Sequence, residues 1–213
     1  MAEAEGVIKY QLEYIPGPAP EPALISDVNA WRHILFLLGL IGQDDRRYGG
    51  YGYGNVSCRL NTGSNEFVIS GTQTAHLPLL TADHYVLVTE SDATHNRIVA
   101  SGIVKPSSEA LTHGILYQTS TAINVVFHVH SPHIWNNAEA LAISSTAKDV
   151  AYGTPQMAED IKRLVQQEAV QQKGIFVMGG HQDGVVAFGG SAEEAGNILV
   201  DCFVHAVQYQ ESE

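Results

Sequence analysis

Two histidines separated by one residue close the stretch VVFHVH, residues 125–130. In an extended chain, residues two apart project to the same side, so His128 and His130 share a face. The apolar residues ahead of them predict a buried strand, which holds both side chains on rigid backbone as a metal site requires. A surface pair beside a loop is the competing account, and in a chain with ten histidines the pair alone does not decide. Two further positions bear on the choice. GGHQDG places His181 in a glycine-flanked turn between two predicted strands, and KPSSEALTH places Glu109 in the first turn of a helix just before the histidine strand. Three neutral imidazoles with a carboxylate or water make a tetrahedral site with ligand distances of about 2 Å, suited to Zn²⁺, although manganese, cobalt or nickel could occupy the same donors. Such a site keeps one position for substrate, as catalytic zinc sites do.

The elements that must position these groups follow from the patterning. VIKYQLEY alternates Ile8, Tyr10, Leu12 and Tyr14 against Lys9, Gln11 and Glu13 and predicts an edge strand. The proline-rich IPGPAPEP then acts as an extended connector, so residues 1–25 read as a strand and connector ahead of one domain over 26–213. The first helix is predicted from about Ser26, burying Trp31, Ile34, Leu35 and Leu38, and RRYGGYGYGN is a glycine-rich loop. Short strands are expected at NVSCRL, EFVIS, YVLVT and RIVAS, the last two joined through ESDATHN. A helix begins at PSSEALTHGILYQT, and Thr154, Pro155 and Gly174 frame another over 155–173. IFVM and GVVAF predict two strands around the turn carrying His181. Ser191 and Glu194 form a capping box ahead of the last helix. Many short strands with local returns predict a largely antiparallel sheet with helices packed on it, one α/β domain.

Composition narrows the function. The net charge is −12 with only 11 Lys and Arg and no basic run, which argues against nucleic acid and anionic membrane as partners. An anionic substrate would be held by backbone N–H groups, hydroxyls or a metal. Two isolated cysteines predict a reducing compartment. The N-terminus lacks a signal-peptide pattern, and the most apolar stretch is too short to span a bilayer. A cytoplasmic protein is expected.

YGNVSCRL, FVISGTQT, GIVKPSSEALTHGILYQ, INVVFHVHSP and GGHQDGVVAFGGSAEEA together resemble the class II aldolase/adducin family, in order and spacing, over about residues 27–209. The resemblance implies a three-layer α/β/α domain with a mainly antiparallel sheet, assembled as a homotetramer with active sites at subunit borders. It implies that His128, His130 and His181 ligate zinc, and that Glu109 moves between metal ligand and proton-transferring group. It implies that Gly54 and Asn55, Ser70 and Gly71, and Ser107 and Ser108 hold a substrate phosphate. The implied reaction is C–C bond cleavage or formation in a small hydroxylated carbonyl compound, a ketose phosphate, through a zinc-stabilised enediolate.

Phosphate at Ser107 and Ser108 would meet free N–H groups and the positive end of a helix dipole, with Lys105 just upstream. Either serine alone reads first as an N-cap, and Gly54-Asn55 alone is equally a turn. His113 reads as a hydrogen-bond partner of the core, and His133 is close enough to the ligand pair to reach the cleft.

The chain departs from the family's sugar-phosphate aldolases at residues 131–153, a shorter segment with no match for their aldehyde-protonating tyrosine. Tyr152 and Tyr209 are the available substitutes. Ala75-His76 stands near a usual glycine, and the N-terminal strand and connector are additions. Epimerisation, dehydration or decarboxylation on the same metal site is the second reading. A non-catalytic adducin-like scaffold is the third, which retained metal ligands argue against.

Overall fold

The computed structural model describes residues 7–212. Eight strands make one sheet: β1 (Gln11–Pro16), β4 (Asn55–Arg59), β5 (Phe67–Ser70), β6 (Tyr85–Asp92), β7 (Arg97–Gly102), β8 (Val125–His130), β9 (Ile175–Val177) and β10 (Gly184–Gly189), in the order β1-β7-β6-β5-β4-β8-β10-β9. Every neighbouring pair is antiparallel except β1 with β7. Two short strands, β2 (Gly42–Gln43) and β3 (Gly52–Tyr53), pair separately and pin the glycine-rich loop between them.

Helices α2 (Ala110–Thr119), α4 (Pro155–Val165) and α5 (Glu168–Lys173) cover one face of the sheet, and α1 (Pro22–Leu37), α3 (Pro132–Asn136) and α6 (Ala192–Ser212) cover the other. This is the three-layer α/β/α arrangement. Each face has its own core. Phe67, Ile69, Val126, Val186 and Phe188 point to the α2 side, and Val68, Phe127, Val129, Val185 and Ala187 to the α1 side. The alternation is the period-two signature of strands covered on both faces.

Several local expectations shift. Helix α1 starts at Pro22 rather than Ser26, because proline at the first helical position already has helical φ and its missing N–H costs nothing there. Its buried residues are Ile25, Val28, Arg32 and Leu35, whereas Ile34 and Leu38 are exposed. Arg32 can sit inside because its guanidinium donates to the carbonyls of Thr74, Ala75, Leu77 and Pro78. Ser107 and Ser108 lie in a turn before α2, not in its first turn, and Glu109 is the N-cap. The helix framed by Thr154 and Gly174 divides after Val165 into α4 and α5. Both framing residues act as expected: Thr154 Oγ1 accepts from Met157 N, and Gly174 ends α5 at φ 66°. Strand β6 continues through Glu90 and Asp92 over a bulge at Val88/Glu90, shortening the expected loop.

Candidate metal centre

Strand β8 is central, hydrogen-bonded to β4 on one side and β10 on the other, and all six of its residues are buried. His128 and His130 leave it on one face at its C-terminal end. His181 comes from the turn between β9 and β10, which closes through Met178 N to Gly184 O (2.9 Å) and Gly184 N to His181 O (3.0 Å). Gly180 makes that turn possible, since a Cβ there would stand 1.9 Å from Val150 O. One ring nitrogen from each histidine lies within 4.8 Å of the others, with ring centroids 4.8–5.2 Å apart. Glu109 Oε1 is 3.5 Å from His181 Nδ1, and Glu109 Oε2 accepts from Thr112 Oγ1 at 3.2 Å.

The donors fit a cation. Both ring nitrogens of His128 are buried with no more than a weak contact to the Val185 backbone, which an interior imidazole rarely tolerates unless something else binds it. Burial, and then the neighbouring imidazoles, hold His128 and His130 well below the ordinary histidine pKa, so both are neutral and carry the lone pair a metal needs. Nitrogen donors with one carboxylate beside them suit a divalent transition metal.

Five of the six residues expected to hold phosphate line one small polar cavity: Gly54, Asn55, Gly71, Ser107 and Ser108, joined by Thr72 and Gln73. Asn55 faces His128 across the β4–β8 ladder, which ties this cavity to the histidines. Its Oδ1 is buried without a hydrogen-bond partner. Ser70 is buried next door, its Oγ accepting from Val56 N at 3.1 Å. Gly71 N and Thr72 N already donate to His84 O and Lys105 O, so neither is left for a ligand. Ser107 Oγ accepts from Glu109 N at 3.3 Å and keeps its proton to give. Lys105 is exposed and lies outside the lining.

Other assignments divide. Tyr152 is buried and stacks on His181 with centroids 4.4 Å apart, whereas Tyr209 is exposed on α6. His133 turns to α6, 2.5 Å from Gln210 Oε1 and edge-on to Phe203, rather than toward the histidine cluster. His113 is a hydrogen-bond partner of the core, with Nδ1 2.6 Å from Ser57 Oγ.

Sequence reasoning passed over three residues here. Tyr48 packs edge-on against His130 at 4.6 Å and donates to Asp183 Oδ2 at 2.6 Å, and Arg47 Nη2 donates to Tyr48 Oη at 2.6 Å. The available signal was the glycine-rich loop, which needed to be read as a way of folding a side chain back onto the cluster. Tyr10 of the N-terminal addition also reaches the site, donating to Ser107 O at 2.8 Å.

A sequence model of the Class II Aldolase and Adducin N-terminal domain matches residues 43–209. The L-fuculose-1-phosphate aldolase of Thermus thermophilus superposes with a TM-score of 0.65 at 16% identity, over 90% of this chain and 95% of that one. A sugar-phosphate aldolase from Thermotoga maritima gives 0.63 at 16%, over 89% and 95%. YgbL of Klebsiella pneumoniae, a candidate aldolase/epimerase/decarboxylase, gives 0.63 at 19%, over 87% of each chain.

Proposed function

The chain belongs to the class II aldolase and adducin family as a class II aldolase-like enzyme, and on that premise we propose a zinc-dependent lyase acting on a small phosphorylated hydroxy-carbonyl compound. The observation that carries the reading is the convergence of His128, His130 and His181, beside a buried carboxylate, next to a cavity of hydroxyls and amide. Those three histidines would hold the ion, with Glu109 as a fourth donor. The ion when bound supplies Lewis acidity toward adjacent hydroxyl and carbonyl oxygens.

The rest of the work falls to the chain. Glu109 takes or returns the proton at the carbon next to the carbonyl, and Thr112 Oγ1 orients its carboxylate. Ser107, Ser108 and Asn55 donate to the phosphate, fixing the reacting carbon against Glu109; Gly54, Ser70 and Gly71 shape the floor. Glu109 is buried, which keeps its proton transfer out of bulk water. We extend the proposal to a homotetramer in the cytoplasm. No described helix is long and apolar enough to cross a membrane.

The test is twofold. Purified protein should carry about one zinc per chain by elemental analysis. Screened on ketose phosphates, it should release dihydroxyacetone phosphate or an aldehyde. Glu109→Gln keeps the shape and removes the base, so zinc should remain while turnover falls by about 10²–10⁴-fold. Product with an unchanged carbon count would replace lyase by epimerase or dehydratase, and loss of one carbon by decarboxylase. Full activity in the variant would remove Glu109 from proton transfer.

A further inference from the structure

The chain has six arginines, and five are accounted for by what they touch. Arg32 and Arg59 turn their guanidinium groups onto cages of backbone carbonyls. Arg46 pairs with Asp44, Arg97 with Glu13 and Glu90, and Arg163 with Asp160. Arg47 has neither arrangement. Its Nη1 and Nη2 donate to the hydroxyls of Tyr53 (3.3 Å) and Tyr48 (2.6 Å), and the guanidinium lies over both rings, 4.7 and 4.9 Å from their centroids. Those two rings in turn contact His130, with centroids 5.5 and 4.6 Å away.

A half-buried cation therefore stands one ring away from the histidine cluster, held by two neutral hydroxyls. Asp183 meets the Tyr48 hydroxyl and not the guanidinium, and Asp44, which feels the Arg47 charge, is bonded to Arg46. The loop is folded at a cost to do this. Tyr48 and Asp183 both have left-handed backbone, at φ 49° and 61°, and Gly49 and Gly50 follow at 67° and 81°. Non-glycine residues held there concentrate where a side chain must meet a ligand.

We propose that Arg47 receives a carboxylate carried by the substrate, with Tyr48 and Asp183 as positioning residues that aim the guanidinium. The inference rests on the zinc-centre reading and narrows its substrate to a hydroxylated acid. Nη1 and Nη2 each spend one N–H on a tyrosine hydroxyl and keep another, and these with Nε–H can meet a planar carboxylate by parallel N–H bonds. The phosphate cavity does not include Arg47 in its lining, so the two anionic groups have separate partners. In a chain of net charge −12, a local cation of this kind favours a second anionic group.

Calorimetry on the zinc-loaded protein tests the assignment with two probes, hydroxypyruvate and dihydroxyacetone, which share the hydroxy-carbonyl unit and differ in the carboxylate. Arg47→Met keeps the stem packed on the rings. It should weaken hydroxypyruvate by about ten- to a hundredfold, as expected for lost charged hydrogen bonds, and leave dihydroxyacetone unchanged. Arg47→Lys, with charge but no fork, should recover part of the loss. Inorganic phosphate should bind wild type and Arg47→Met alike. Equal weakening of both carbonyl probes would make Arg47 a latch for the loop, and a parallel loss of phosphate would move it to the phosphate cavity; either result overturns the proposal, as does no change at all. Failure of the wild type to take up zinc is a separate outcome, which would remove the metal reading instead.

Discussion

His113 occupies the α2 face one turn beyond Glu109, buried, with its Nδ1 2.6 Å from Ser57 Oγ and that oxygen 2.6 Å from Tyr117 Oη. Its Nε2 has no hydrogen-bond partner. Burial pushes its pKa down to about 3. The sign of the consequence follows from comparing the two states. Below about 6.5 the unfolded chain binds a proton that the native imidazole refuses, so His113 subtracts stability as pH falls from about 6.5 to about 3 and is neutral in effect above 6.5. The slope is about 1.4 kcal/mol per pH unit. Asn at 113 can keep the bond to Ser57 and cannot titrate. In zinc-free protein, the stability gap between wild type and His113→Asn, from urea midpoints at pH 7.5, 6 and 5, should narrow by that slope below 6.5. A gap independent of pH would mean that the folded protein protonates this histidine as readily as the unfolded chain does.

At the scale of elements, what could be read beforehand was what local chemistry determines. The VVFHVH strand, the Thr154 cap and the Ser191 cap were each legible from residue type and spacing. Ser191 Oγ accepts from Glu194 N, although the Glu194 carboxylate reaches Gly190 N rather than Ser191 N. Three features were not legible, for physical reasons. The buried face of α1 contains an arginine, and only the carbonyl cage formed by residues 74–78 makes its burial tolerable. The bond from Tyr48 to Asp183 spans 135 residues and depends on left-handed backbone at two non-glycine positions, which residue type does not announce. The break after Val165 interrupts a run whose composition stays helical. Gly54 is the element-scale position most exposed to test. Its φ is +80°, and a Cβ would stand 2.7 Å from Ile41 Cγ1 and 3.1 Å from His128 O. Gly54→Ala should therefore destabilise the fold by about 1–3 kcal/mol, read as a lower urea midpoint, because strain and clash fall together on the start of β4. An unchanged midpoint would show that the loop yields to a methyl group at no cost.

For the molecule as a whole, the central strand does two jobs at once. Strand β8 contributes Phe127 and Val129 to one core and Val126 to the other, and on the Val126 side it also presents His128 and His130. The third histidine arrives from a turn more than fifty positions further along the chain. A cation bound to all three therefore links segments that the unfolded chain keeps apart, and its binding energy adds to folding. At free zinc about 100-fold above the dissociation constant, the native state should gain about 2.7 kcal/mol. For a chain of this length that corresponds to a rise in Tm of about 5–10 °C by scanning calorimetry. His130→Ala should abolish the rise while leaving both cores in place, and a chelator should reverse it in the wild type. His128 and His130 are already neutral at pH 7, because burial keeps them so, and the gain should persist as pH falls through the ordinary histidine value of about 6.5, until those native imidazoles themselves protonate. A Tm indifferent to zinc at pH 7.5 would mean that the three imidazoles meet for packing alone, and the proposed chemistry would lose the ion on which it depends.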